Sequence, residues 1–134
     1  MQDFDVVSLN YFSIYVRDLA YAVAFYSKVF GPPAYIEEEG TINGWKMGNT
    51  WLTIFSSDRG VAPKCNPCNM EFAIQVLTPQ DVDRLHQALL EAGASGIWAP
   101  EDTWMYEPMR FAAVDDPFGV RIDIYCPLQN SATS

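Results

Sequence analysis

Two acids sit where alternation predicts strands. Glu71 opens the run Glu71–Val76, in which Phe72, Ile74 and Val76 are apolar, and Asp123 lies between Ile122 and Ile124 in Arg121–Tyr125. A period of two marks a half-buried strand, so Glu71, Ala73 and Gln75 share one face, as do Arg121, Asp123 and Tyr125. Two earlier runs, Tyr11–Val16 and Trp51–Phe55, alternate in the same way. They set Tyr11, Ser13 and Tyr15, and then Trp51, Thr53 and Phe55, opposite their apolar faces. These four faces are too apolar for a solvent face and too polar for a core. Aromatic walls with a few convergent polar groups make up a small-molecule site. Glu71 and Asp123 there suit either of two chemistries: attraction of a basic ligand whose ring or cation stacks on Tyr11, Trp51, Phe55 and Tyr125, or proton abstraction as a general base. A structural role is the third reading, with Arg121 neutralising the acids and holding the fold together.

Composition narrows the partners. Seventeen acids against eight Lys and Arg give a formal charge of −9, which repels nucleic acid and anionic membranes. No basic leader precedes an apolar stretch, and no run approaches the roughly 18 apolar residues of a membrane span. The chain is therefore expected in the cytoplasm. Cys65 and Cys68 form a lone C-x-x-C, and with three Cys and one His in all a four-ligand zinc site is not expected there. The pair reads as free thiols in a Pro-containing loop. His86, in a helical stretch, reads as a surface or half-buried residue rather than a ligand.

The elements that position these residues come in two copies. Tyr11–Val16 and Glu71–Val76 carry Phe, Ile and Val at matching places, as do Trp51–Phe55 and Arg121–Tyr125 at their apolar positions. A repeat of this length means two copies of one supersecondary unit. Asp18 suits the cap of a helix over Leu19–Phe30 that Gly31 ends, and Thr78-Pro79 starts a second that Gly93 ends, with Val82, Leu85, Leu89 and Ala92 on one face. Further strands are predicted at 35–39, 44–47, 96–99 and 109–114, and Asp116–Gly119 has the composition of a type I turn. The fold class is α+β: two βαβββ modules, about 8–57 and 70–128, joined by a polar linker over 58–69 in one domain spanning 1–134.

The doubled βαβββ pattern, Val16-Arg17-Asp18-Leu19 with Phe25-Tyr26 and Val29–Gly31, and Asp116–Gly119 before a final Ile-Asp-Ile strand together resemble the vicinal oxygen chelate superfamily. That superfamily includes glyoxalases, bleomycin resistance proteins and extradiol dioxygenases, and the resemblance covers residues 8–128. It implies a curved, partly open mixed sheet around a central cleft, and commonly a homodimer. In metal-using members each module gives one ligand from its first strand and one from its last, usually His or Gln and then Glu. Here those positions fall on Tyr11, Thr53, Glu71 and Asp123, so no imidazole remains and the two-His, one-carboxylate site of the dioxygenases cannot be assembled. No metal and no cofactor are expected, although oxygen-only binding of magnesium, manganese or calcium by Glu71 and Asp123 stays open. The resemblance also brings Glu71 and Asp123 together, where burial and repulsion raise at least one apparent pKa. The expected function is metal-independent binding of a planar or cationic small molecule in an acidic, aromatic cleft. The alternative is a glyoxalase-type lyase or isomerase using the acid pair as base or as oxygen ligands. A cleft filled by its own side chains, in an interaction module, is a third possibility. Trp104, with Met105, Tyr106 and Pro108 in a long connection, is expected either to cover the ligand as a lid or to seal a dimer interface.

Overall fold

In a computed structural model that describes residues 5–57, 66–68 and 70–129, the first alternating run forms strand β1 (Tyr11–Val16), followed by helix α1 (Leu19–Phe30). The Asp18 side chain accepts from the Tyr21 amide at 3.0 Å, which satisfies one of the amides a helix start leaves open. Gly31, at φ 82°, ends the helix. Three strands complete the module: β2 (Tyr35–Ile36), β3 (Ile42–Met47) and β4 (Thr50–Ser56). The second module repeats the order with β5 (Met70–Gln75), α2 (Pro79–Ala92), β6 (Ser95–Trp104), β7 (Pro108–Asp115) and β8 (Val120–Pro127). The chain divides into compact units Met1–Val61 and Ala62–Ser134. Cys65 lies outside the described residues, while Cys68 is an exposed free thiol.

Each unit holds one mixed four-stranded sheet, in the orders β1-β4-β3-β2 and β5-β8-β7-β6. The first and last strands of each module are parallel neighbours. Tyr11 lies beside Trp51 and Ser13 beside Thr53, just as Glu71 lies beside Arg121 and Ala73 beside Asp123. The repeat read from the sequence is thus a repeat of register. Phe25, Tyr26, Trp45, Leu52 and Ile54 are almost wholly buried in the first unit, and Val82, Leu89, Val114, Ile122 and Ile124 in the second. Each such side chain stabilises by about 1.5–3 kcal/mol, which fixes which face of the sheet turns to the helix. The other face, carrying the candidate residues, is left available.

Several element boundaries differ from the sequence reading. The strand predicted at 35–39 stops at Ile36, because Glu37–Gly40 turns back: the Gly40 amide donates to the Glu37 carbonyl at 2.8 Å, with Gly40 at φ 76°. Strand β6 is longer than the predicted 96–99. It continues through Pro100 to Trp104, with register shifts between Gly96 and Trp98 and between Trp98 and Glu101. Bulges of this kind hide the alternation on which a strand prediction rests. On α2, Val82, His86 and Leu89 are the buried residues, so His86 belongs to the packed face rather than the surface. Burial pushes its imidazole down, against the opposing pull of Asp83. Arg110 ties β7 to α2 through Asp83 at 2.8 and 3.2 Å and to β6 through Asp102 at 2.9 Å.

Candidate functional site

In the second unit, the register of β5, β8 and β7 builds the site. Glu71 and Asp123 are on the same sheet face, one step apart across parallel strands. Across the antiparallel pair, Ala113 lies beside Asp123 and Phe111 beside Tyr125. Strand β6 adds Ile97 and Trp98, and the turn after it adds Met105. Together with Arg121 these residues, Tyr125 excepted, line a cavity of about 260 Å³. Trp98 meets Phe111 edge to face, with ring centroids 5.2 Å apart, in the geometry aromatic pairs prefer.

Asp123 is the perturbed group. Burial, then a hydrogen bond to Glu71 and its charge, push the Asp123 carboxyl from 3.8 up to about 7, with the Arg121 charge opposing. Glu71 itself is exposed, so the buried partner is the one that keeps its proton. Arg121 lines the cavity without being committed to these acids. Its guanidinium is held by Asp115 at 2.8 and 3.1 Å and by the Asn66 carbonyl at 3.3 Å. The direct hydrogen bonds of Arg121 go to Asp115 rather than to Glu71 or Asp123, and only its charge acts on those two acids. The turn behind β8 is equally fixed: the buried Asp116 carboxylate accepts from the amides of Phe118 and Val120, both at 2.8 Å.

In the first unit, Tyr11, Tyr35, Trp51, Thr53 and Phe55 line a cavity of about 290 Å³. Among the described residues its lining includes no carboxylate or cation. The Thr53 hydroxyl is already engaged, 2.6 Å from that of Ser13 and donating to the Phe12 carbonyl at 3.1 Å. Tyr15 stacks on Phe55 at 5.3 Å. Gly44, beside Thr53 on β3, makes room for the Trp51 indole: a Cβ there would come within 3.3 Å of a ring carbon, closer than ordinary carbon contacts.

Of the sequence candidates, Tyr11, Trp51, Thr53 and Phe55 come together in one cavity, and Glu71, Arg121 and Asp123 in the other. Gln75 and Tyr125 stand further along the second face, where the Tyr125 hydroxyl donates to the Gln75 side-chain oxygen at 3.3 Å. Burial, with Tyr106 and Glu107 adding, raises the Tyr125 phenol. Trp104 ends β6 at the tip of the β6–β7 hairpin and is 69% exposed. The long connection is therefore a hairpin, and Met105 rather than Trp104 is its cavity residue. Sequence reasoning missed Tyr35, Ile97, Trp98, Phe111 and Ala113. The hairpin loop is Pro117–Gly119, closed by the Asp116 amide donating to the Val120 carbonyl at 2.9 Å. The pairing that puts Ala113 and Phe111 beside Asp123 and Tyr125 is therefore one residue off the register that a two-residue turn at Pro117-Phe118 gives, and the turn composition alone could not have found them.

The family model for the Glyoxalase/Bleomycin resistance protein/Dioxygenase superfamily matches residues 8–124, and the chain belongs to that superfamily. Among solved structures it is similar to a glyoxalase/bleomycin resistance protein/dioxygenase family enzyme from Burkholderia phytofirmans PsJN, at 25% identity and a TM-score of 0.73, over 91% of this chain and all of that one. A glyoxalase-related enzyme from Fulvimarina pelagi is 22% identical, with a TM-score of 0.71 over 90% and 88% of the two chains. A glyoxalase/bleomycin resistance protein from Albidiferax ferrireducens T118 is 17% identical, with a TM-score of 0.70 over 88% and 98%. These last two likenesses show the fold alone. No curated protein matches the chain.

The donor set does not fit the imidazole-containing metal site of the superfamily. At the equivalent positions the first unit offers a phenol and a hydroxyl already bonded within the protein, and the second offers two carboxyls. Among the described residues, no group of three or more His, Cys, Asp or Glu side chains is placed to hold a metal ion. No helix of the described residues is long and apolar enough to cross a membrane.

Proposed function

We propose that the protein binds a small planar or cationic molecule without a metal, with Glu71 and Asp123 as the recognition element. The observation that carries this reading is the cavity in the second unit, where two carboxyls share a wall with Trp98 and Phe111 while Arg121 is occupied by Asp115. A cation gains from both the acids and the ring faces. The cavities beside Thr53 and Asp123 argue against faces filled by their own side chains. A thermal-shift screen of basic aromatic compounds tests the proposal: hits are expected with the parent and lost in Glu71→Gln and Asp123→Asn. Hits that bind both variants as well as the parent remove the acids from recognition.

The second reading, a lyase or isomerase using Glu71 and Asp123 as general base, draws support from the Asp123 carboxyl near 7, where proton transfer at neutral pH is efficient. Binding is the preferred reading, because among the described residues the one cation lining the cavity, Arg121, is engaged by Asp115. The exposed Trp104 and Tyr106 at the hairpin tip support assembly as a homodimer, and the free Cys68 and Cys126 are in keeping with a reducing cytoplasm.

A further inference from the structure

The charge inventory of the second unit's cavity narrows what it takes up. Among the described residues its lining contains three charged groups: Glu71 from β5, and Arg121 and Asp123 from β8. Strand β7 contributes Phe111 and Ala113 to the lining, and β6 and its turn contribute Ile97, Trp98 and Met105, so among the described residues no further titratable group lines the cavity from those elements. Asp115 reaches the region through Arg121, which it holds with both oxygens, while the Arg121 charge still opposes the rise of the Asp123 carboxyl. Glu101 accepts from the Trp98 indole at 3.0 Å. What remains is an exposed Glu71 and a half-buried Asp123 lining one cavity, one register step apart on the same sheet face, where Glu71 adds to burial in raising the Asp123 carboxyl. Two carboxyls so placed hold a proton between them, because two anions repel and neither can donate. Volume sets the second limit. About 260 Å³ lies just below the roughly 300–1,000 Å³ of drug-sized sites, so the space accommodates a single ring and one charged group.

Resting on the binding function proposed above, we propose that this cavity takes a singly charged cation with a flat apolar body and exchanges it for the proton on Asp123. The ring lies against Trp98 and Phe111, and the cationic N–H group faces the two carboxyls. As it enters, the Asp123 O–H bond breaks, the proton passes to solvent, and the second carboxylate accepts a ligand N–H in its place. The sum of cavity and ligand charge changes by the one proton released. Uptake therefore strengthens as pH rises to the point where Asp123 is ionised before the ligand arrives, by up to about tenfold per pH unit below it.

The test uses benzamidinium, which stays cationic throughout, with neutral benzamide as control. Calorimetric titration at about pH 6 in two buffers of different protonation enthalpy counts the protons released, and a repeat at about pH 8.5 gives the ionised limit. The expected result is release of between about half a proton and one proton at the lower pH, almost none at the higher, and no uptake of benzamide. Heat independent of buffer at the lower pH overturns the exchange. Absence of benzamidinium binding at both pH values overturns the cation reading itself. A carboxyl carbon NMR titration of the ligand-free protein separates these failures. Asp123 titrating in the ordinary range below about pH 5 removes the proton to be exchanged, whatever binds. Glu71→Gln provides the variant should Asp123→Asn fold poorly: its Asp123 is expected to titrate at lower pH and to release less proton on binding.

Discussion

Replacing Asp123 by Asn is expected to stabilise the protein at alkaline pH and to leave it unchanged at acid pH. Burial, and then Glu71, raise the Asp123 carboxyl from its ordinary 3.8 to about 7. Between those values the native state keeps a proton that the unfolded chain has released. Stability therefore falls as pH climbs through that window and levels off above it. Conversion at about 1.36 kcal/mol per pH unit sets an upper bound of about 4 kcal/mol. Asp123 is only partly buried, and solvent screening reduces the share that survives to about 1–2 kcal/mol. Asn has nearly the same shape and no charge, so the variant gains that amount at about pH 8.5 and nothing at about pH 4. Urea unfolding followed by tryptophan fluorescence reads the gain as a higher midpoint at constant slope. In a chain of this size the gain corresponds to about 3–8 °C in Tm. A variant equally destabilised at both pH values would refute the reasoning, since its loss would then be that of a hydrogen-bond partner rather than of a buried charge.

Asp116→Ala removes the acceptor of two amides at the β7–β8 turn and is expected to lose about 2–4 kcal/mol in urea unfolding; a loss below about 0.5 kcal/mol would mean that water replaces the carboxylate. Arg121→Met leaves Asp115, 8% exposed, without its partner and is expected to cost about 2–3 kcal/mol, with much of the loss recovered by adding Asp115→Asn. Thr53→Val breaks the bonds to Ser13 and Phe12 and is expected to lower stability by about 1 kcal/mol, read as a fall in Tm.

The strands that carry the repeat were legible in the sequence because each is buried on one face only. In β8, burial alternates residue by residue from Val120 to Pro127, and apolar residues follow it. Strand β7 offers no such contrast: from Phe111 to Asp115 every residue is buried, with one face on α2 and the other on the cavity. Its inner wall was accordingly invisible to periodicity. Strand β6 failed for a different reason. Its bulges and its charged residues Glu101 and Asp102 broke the pattern, so Trp98, an aromatic wall of the cavity, was read only as part of a short strand. The claim of Asp115 on Arg121 is a cross-strand pairing, fixed by hairpin register rather than by anything local to either residue.

The two modules diverge at matching register positions. Ser13 beside Thr53 and Ala73 beside Asp123 occupy the same register position in their respective sheets. In the first module the polar pair is satisfied internally, hydroxyl to hydroxyl and hydroxyl to the Phe12 carbonyl, and the face around it is aromatic and uncharged. In the second, Ala73 offers no side-chain donor to its neighbour. Burial, and then Glu71 one step along, raise the Asp123 carboxyl to about 7, so near neutral pH it stands between its acid and its carboxylate. The register is the same in both modules, and the side chains on it differ together: Ser13 and Thr53 stand where the second module has Ala73 and Asp123, and Tyr11 stands where it has Glu71. That asymmetry is why the second module is the one expected to respond to pH and to cations.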